Sequence, residues 1–221
     1  MIGILPKREW PIEHRIMHYF VTFLRLSVVA AIFVAFSASM WEELFFYMLT
    51  LILMLLPAFI SSKISIKLPV EFDLILALFV YLSVFLGSVG GAYYQFWWWD
   101  AMLHISAGFI LGFAGFLALY LNMRQRKIRA GRWFIGICIF LFAVALGAIW
   151  EIYEFVVDGL LGFNMQRDLD DTMWDMIVNA VGALVVAVAA VQYIDKPKRG
   201  FIAPWVHRFV QKNPRLIRRI K

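Results

Sequence analysis

The chain has 221 residues, 63% of them hydrophobic and only 16% charged; a soluble domain is close to half apolar and a quarter charged, so a soluble globular fold is excluded. The net charge is +6, but the bases are sorted by loop in the manner of a membrane protein, and nothing among them reads nucleic-acid bases. Cys138 is the single cysteine, which excludes an intrachain disulfide and a zinc site built on thiolates.

In chain order, a charged N-terminal segment with Lys7, Arg8, Glu9, Glu13 and Arg15 lacks a small-residue cleavage site and reads as retained. Six apolar runs follow, at about 17–38, 44–60, 72–90, 99–121, 133–157 and 174–194. Each is near the roughly 20 residues a helix needs to cross the hydrocarbon, and none alternates with the period of a strand. The expected fold is all-α and polytopic: residues 1–195 form one six-helix membrane domain and 196–221 a basic amphipathic tail.

The loops set an orientation. Of the 21 bases, 19 fall in the N-terminal segment, the 61–69 loop, the 122–132 loop and the tail; Arg25 lies inside the first run, and only Arg167 is on the other side. That other side carries Glu42, Glu43, Asp100, Glu151, Glu154, Asp158, Asp168, Asp170, Asp171 and Asp175. The positive-inside rule makes the basic side cytoplasmic, with both termini there, in a cell membrane. Tryptophans at the ends of the runs read as interfacial anchors. Arg25 is close enough to the basic side to snorkel. The tail interleaves Trp205, Val206, Phe209, Val210, Leu216, Ile217 and Ile220 with bases and is expected to lie on the anionic cytoplasmic leaflet.

Spans 4–6 each carry one polar stripe at helical spacing: Asp100 and His104; Glu151, Glu154 and Asp158; Asp171, Asp175 and Asn179. Counting from each span's centre puts His104, Glu151 and Asn179 about 8–9 Å outward, and Asp100, Glu154 and Asp175 about 14–15 Å. Glycines in the same spans permit close helix contact. Matching stripes at matching depths are expected to face one another. Carboxylates so concentrated take up protons or a cation. Oxygen ligands with one imidazole suit Mg²⁺, Mn²⁺ or Ca²⁺, with Zn²⁺ as a further candidate. The expected cation ligands are His104, Glu151, Glu154 and Asp175. Asp100 orients His104 or serves as base, so that Asp100 and His104 form the catalytic pair. Asp158, Asp171 and Asn179 support the site. Gln166 and Arg167, in the loop between spans 5 and 6, are the candidates for an anionic headgroup. Asp168 and Asp170 read as a solvated loop.

The segments Trp99-Asp100-x-x-x-His104, Trp150-Glu151-x-x-Glu154, Gln166, Asp171-Thr172-Met173-Trp174-Asp175-Met176 and Gly182 resemble the YjdF-like integral membrane family over roughly residues 97–187. This resemblance implies an architecture and a polar site. A looser likeness, through Asp100, His104, Glu154, Gln166, Asp175, Asn179 and Gly182, runs to the VanZ-like family, which is associated with glycopeptide resistance at the cell envelope.

Three functions fit the pattern. The first is metal-assisted hydrolysis or transfer at an envelope lipid or glycan headgroup. The second is proton or cation transport, which the apolar cytoplasmic halves of spans 4–6 do not serve. The third is non-catalytic binding of an envelope lipid or antibiotic. Whether the protein is an enzyme, and its oligomeric state, stay open at this level.

Overall fold

The computed structural model describes residues 10–64, 66–125, 127–197 and 199–216. Expectations resting on Lys7, Arg8, Glu9, Arg126, Lys198, Ile217 and Ile220 lie outside the described residues. All regular structure among the described residues is helical. The order is α1 (Ile12–Ser37), α2 (Trp41–Lys63), α3 (Val70–Val80), which continues as a wider π-helical stretch Tyr81–Val89, the short α4 (Ala92–Gln95), α5 (Trp99–Arg124), α6 (Arg132–Leu161), α7 (Leu169–Asp195), α8 (Ala203–Lys212) and a 3₁₀ turn Pro214–Leu216. Six helices are long and apolar enough to cross a membrane: α1, α2, α3 with its π-helical continuation, α5, α6 and α7.

The chain forms two compact units, Met1–Trp99 and Asp100–Lys221. In the first, Val21, Leu24 and Val28 of α1 meet Met54 of α2 and Ala77 of α3, with Tyr47, Leu51, Leu74, Tyr81 and Phe85 packed around them. Tyr81 and Phe85 stack at 4.5 Å. Arg25 does not snorkel. It is buried, donating to Asp73 Oδ1 at 2.6 Å and to the Met54 carbonyl at 3.1 Å. Pro57 lies inside α2; its missing N–H and its ring loosen the carbonyls of the preceding turn, and Met54 belongs to that turn. About three turns toward the start of α1, His14 Nε2 lies 3.4 Å from Glu71 Oε1. The first unit thus pairs charged groups, inside its spans and at their edges, that hydropathy alone does not pair.

In the second unit α7 is the most enclosed helix: half of its apolar span is buried, against a third for α5 and less than a quarter for α6. Its contact with α5 is backbone to backbone. A Cβ on Gly108 would fall on the Asn179 carbonyl, and one on Gly182 on the Ile105 carbonyl. Small residues at these positions let two membrane helices approach where no side chain fits. α6 packs along α7, and a Cβ on Gly147 would collide with the Asn179 amide.

α6 stops where Gly162 takes a left-handed conformation, φ 71°, a geometry that costs glycine little. α7 starts at Leu169 because Asp168 caps it, its Oδ1 accepting from the Asp171 N–H at 2.9 Å. Asp168 is therefore a helix-capping residue rather than a member of a solvated loop. After α7 the chain folds back. Phe201 lies 5.7 Å from the Phe109 ring of α5, and His207 lies 6.3 Å from Tyr193 of α7. α8 buries Ala203, Val206 and Phe209, and Ile202 beside them, so these apolar groups of the tail point into the protein.

Candidate metal centre

The starts of α5 and α7 and the last third of α6 meet at one end of the second unit, and His104 stands at their centre. Its Nε2 is 3.4 Å from Asp100 Oδ1, one turn back on the same helix, and 3.8 Å from Asp175 Oδ2 of α7. Its Nδ1 is 3.8 Å from Glu151 Oε1 of α6. All three separations exceed the 2.7–3.2 Å of an N–H···O hydrogen bond. The carboxylates surround the imidazole without closing on it. Glu151 and Asp175 are buried, and Glu151 Oε1 has no hydrogen-bond partner. An unsatisfied buried carboxylate oxygen is costly, and this one points at the imidazole.

Asp100, His104 and Asp175 each offer a donor atom within 4.8 Å of the others. A triangle with the separations above has a centre about 2.0–2.4 Å from each corner, which spans the Mg²⁺–O to Ca²⁺–O range. The geometry therefore differs from the expected ligand set. Asp100 enters the triad instead of only orienting His104. Glu151 faces the imidazole from the opposite nitrogen. Glu154 is turned aside, its Oε1 accepting from Trp150 Nε1 at 2.9 Å. Its neighbour Trp150 is more than an interfacial anchor.

The supporting residues fall differently too. Asp175, not Asn179, shares the level of His104, because the cap at Asp168 starts α7 earlier than hydropathy suggests and shifts its midpoint toward its N-terminal end. Asn179 sits one turn deeper, in the space that Gly108 and Gly147 leave. Its Nδ2 reaches the Ala143 carbonyl at 3.4 Å, and its Oδ1 is buried without a partner. Asp158 does not face the imidazole. Its carboxylate accepts from the Met165 N–H through both oxygens, and from the Gln166 N–H, each at 2.9 Å, and so pins the α6–α7 loop. The Gln166 amide donates to Thr172 Oγ1 at 2.7 Å, a partner that sequence reasoning missed.

That pinned loop carries Arg167 over the triad. Its guanidinium pairs with Asp100 Oδ2 and, at 3.1 Å, with Asp171 Oδ1. Burial works against its charge, but Asp171 and Asp100 outweigh burial and hold its pKa above the ordinary value. One guanidinium and one imidazole thus face Asp100, Glu151, Glu154, Asp171 and Asp175. The acids stay in excess.

Comparison with known proteins adds a family and no chemistry. A family model described as "Predicted membrane protein (DUF2238)" matches residues 18–196. It supports the YjdF-like resemblance and not the VanZ-like one. An "Uncharacterized protein" of Thermotoga maritima is 34% identical over 127 residues, covering 55% of this chain and 64% of that protein. No solved structure matches.

Proposed function

This chain belongs to the DUF2238 family of predicted membrane proteins, and on that footing we propose that it holds a divalent cation between Asp100, His104 and Asp175, with Glu151 on the imidazole's other nitrogen fixing its tautomer, to carry out metal-assisted hydrolysis or transfer at an envelope lipid or glycan headgroup. One observation carries the reading: an imidazole ringed by three carboxylates at 3.4–3.8 Å, a gap that suits a cation better than a hydrogen bond. There a cation of this kind polarises a substrate oxygen and lowers the pKa of bound water. Asp100 and His104 are the groups that handle the proton.

In this reading the site lies in the outer half of the bilayer and both termini are cytoplasmic, as the sorting of bases and acids between loops supports. Single cysteines at Glu43→Cys and Asp170→Cys, in a Cys138→Ser background, are then labelled in intact cells, and Lys127→Cys only after permeabilisation. Labelling of position 127 in intact cells reverses the orientation. Transport fits less well, since the far half of α7 is closed by Ala183, Val186, Ala187, Ala190 and Val191, all buried. The tail meets the anionic leaflet chiefly through its Lys and Arg side chains, because its apolar face is engaged; such contact is salt-sensitive.

The direct test is metal analysis of purified protein, with and without Asp175→Asn. The proposal requires about one equivalent of Mg²⁺, Mn²⁺, Ca²⁺ or Zn²⁺ in the parent and its loss in the variant. A parent that neither retains nor takes up a divalent ion makes the cluster a hydrogen-bonded packing element.

A further inference from the structure

Among the described residues Arg167 is the one guanidinium against the triad, and it is already engaged. It holds Asp100 Oδ2 and Asp171 Oδ1, while the other oxygen of Asp100 faces His104. Asp100 therefore stands between two rival positive charges: a tethered one outside and, in the reading proposed above, a cation inside. The loop is built to hold Arg167 at this place. Gly162 ends α6, Asp158 pins the Met165 and Gln166 N–H groups, Gln166 is fixed on Thr172, and Asp168 begins α7. Arg167 itself is about a third exposed, at 36% for the side chain, where Asp100 is at 16%. The side chain is free to swing outward while its backbone stays put.

We propose that Arg167 is an exchangeable counter-ion: cation binding draws Asp100 inward and frees the guanidinium, which then receives a phosphate oxyanion of the substrate. This inference rests on the cation reading and extends it with an order of binding and a ligand class. Phosphate is the class chosen because a divalent cation flanked by an arginine fork is a clamp for phosphoryl oxygens. Before the cation arrives, Asp171 and Asp100 repel an incoming anion and occupy the fork. Afterwards the cation cancels much of the acid excess, and the edge of the fork that Asp100 held is open while Asp171 still steadies the guanidinium. The site thus rejects anions until it is loaded. A lipid headgroup and a free phosphate anion present the same oxygens.

The experiment uses the full chain in neutral detergent. Mn²⁺ titration by calorimetry of the parent, Arg167→Gln and Arg167→Lys comes first. Removing the rival charge from partly exposed Asp100 is expected to tighten Mn²⁺ about three- to tenfold in Arg167→Gln, while Arg167→Lys, which keeps the charge, stays near the parent. Inorganic phosphate is then titrated with and without Mn²⁺. The parent binds phosphate only when loaded with Mn²⁺, and Arg167→Gln loses that binding despite its tighter Mn²⁺. Nanodiscs of phosphatidylcholine with or without phosphatidylglycerol separate the two sources: a lipid phosphate makes Mn²⁺ affinity rise with the anionic lipid more in the parent than in Arg167→Gln, whereas surface attraction of Mn²⁺ moves both alike and leaves a free anion as the ligand. Equal Mn²⁺ affinity in parent and Arg167→Gln, or phosphate binding that ignores Mn²⁺, overturns the exchange while leaving the cation site standing. Absence of Mn²⁺ binding from both proteins removes the cation reading and this inference together.

Discussion

The two units bury charge in opposite ways. In the first, Arg25 meets Asp73 and a backbone carbonyl, so its charge is matched where it stands although its Nε–H is left over. In the second, Asp100, Glu151, Glu154, Asp171 and Asp175 share one imidazole and one guanidinium, and Glu151 Oε1 is left without a partner. Matched charge inside a bilayer fixes helices to one another; unmatched charge waits for something. The difference teaches where to look for chemistry in an apolar chain: not at the most deeply buried ion, but at the one whose neighbours do not add up.

The comparison can be broken by mutation. The largest effect is expected from Arg25→Met, which leaves Asp73 and the Met54 carbonyl without their donor. Breaking a buried pair typically costs 3–5 kcal/mol, and the partial exposure of Asp73 lowers this to about 2–4 kcal/mol. Equilibrium unfolding in mixed detergent measures it, and Arg25→Met combined with Asp73→Asn should recover part of the loss. A neutral Arg25→Met would mean the first unit is not held by matched charge. Next comes Gly182→Ala. Its Cβ meets the Ile105 carbonyl, so α5 and α7 must part. About 1–3 kcal/mol of stability is expected to go, and Mn²⁺ affinity with it, since Asp100 and His104 leave Asp175.

Asp175→Asn sharpens the contrast, because the two readouts should separate. Without metal its unfolding midpoint is expected to be unchanged or higher, as one repelling carboxylate is gone. Its Mn²⁺ affinity should fall by at least about tenfold, the loss of one charged ligand to a hard cation. A fall in metal-free stability would assign Asp175 to the matched kind. The smallest effect is expected from Asp168→Ala, about 0.5–2 kcal/mol for a lost helix cap, visible as fraying of the first turn of α7 in hydrogen exchange. If α7 keeps its start without the cap, something else positions Asp171 and Asp175.

Much of this was legible in the residues. Six apolar stretches give six membrane-length helices, and the i, i+4 spacing of Asp100 with His104 puts both on the face that meets α7. Glycines 108, 147 and 182 signalled the close contact that lets three polar stripes converge. Three things were not legible. Register between helices was misjudged, because a depth count takes the end of the apolar run as the end of the helix, and Asp168 carries α7 further. The Asp168-x-x-Asp171 spacing is a capping pattern and could have corrected this. The pairs Arg25–Asp73 and His14–Glu71 are not legible because both acids stand at the start of an apolar run, where hydropathy reads a boundary and not a buried contact. The direction of Glu154 and Asp158 depends on Trp150 and on the backbone of a loop, and a helical period says nothing about either.

The back-folded segment after α7 also sets an order for biogenesis. Phe201 and His207 rest on Phe109 of α5 and Tyr193 of α7, so their seat does not exist until both helices are in the bilayer and side by side. During synthesis α8 emerges last and finds its place only on a finished scaffold. A protease cut at Phe209 then becomes a clock for assembly, since this residue is open while the bundle is incomplete and is buried once α8 docks. Any lesion that keeps α5 from α7, wherever it lies, should announce itself first at the far end of the chain.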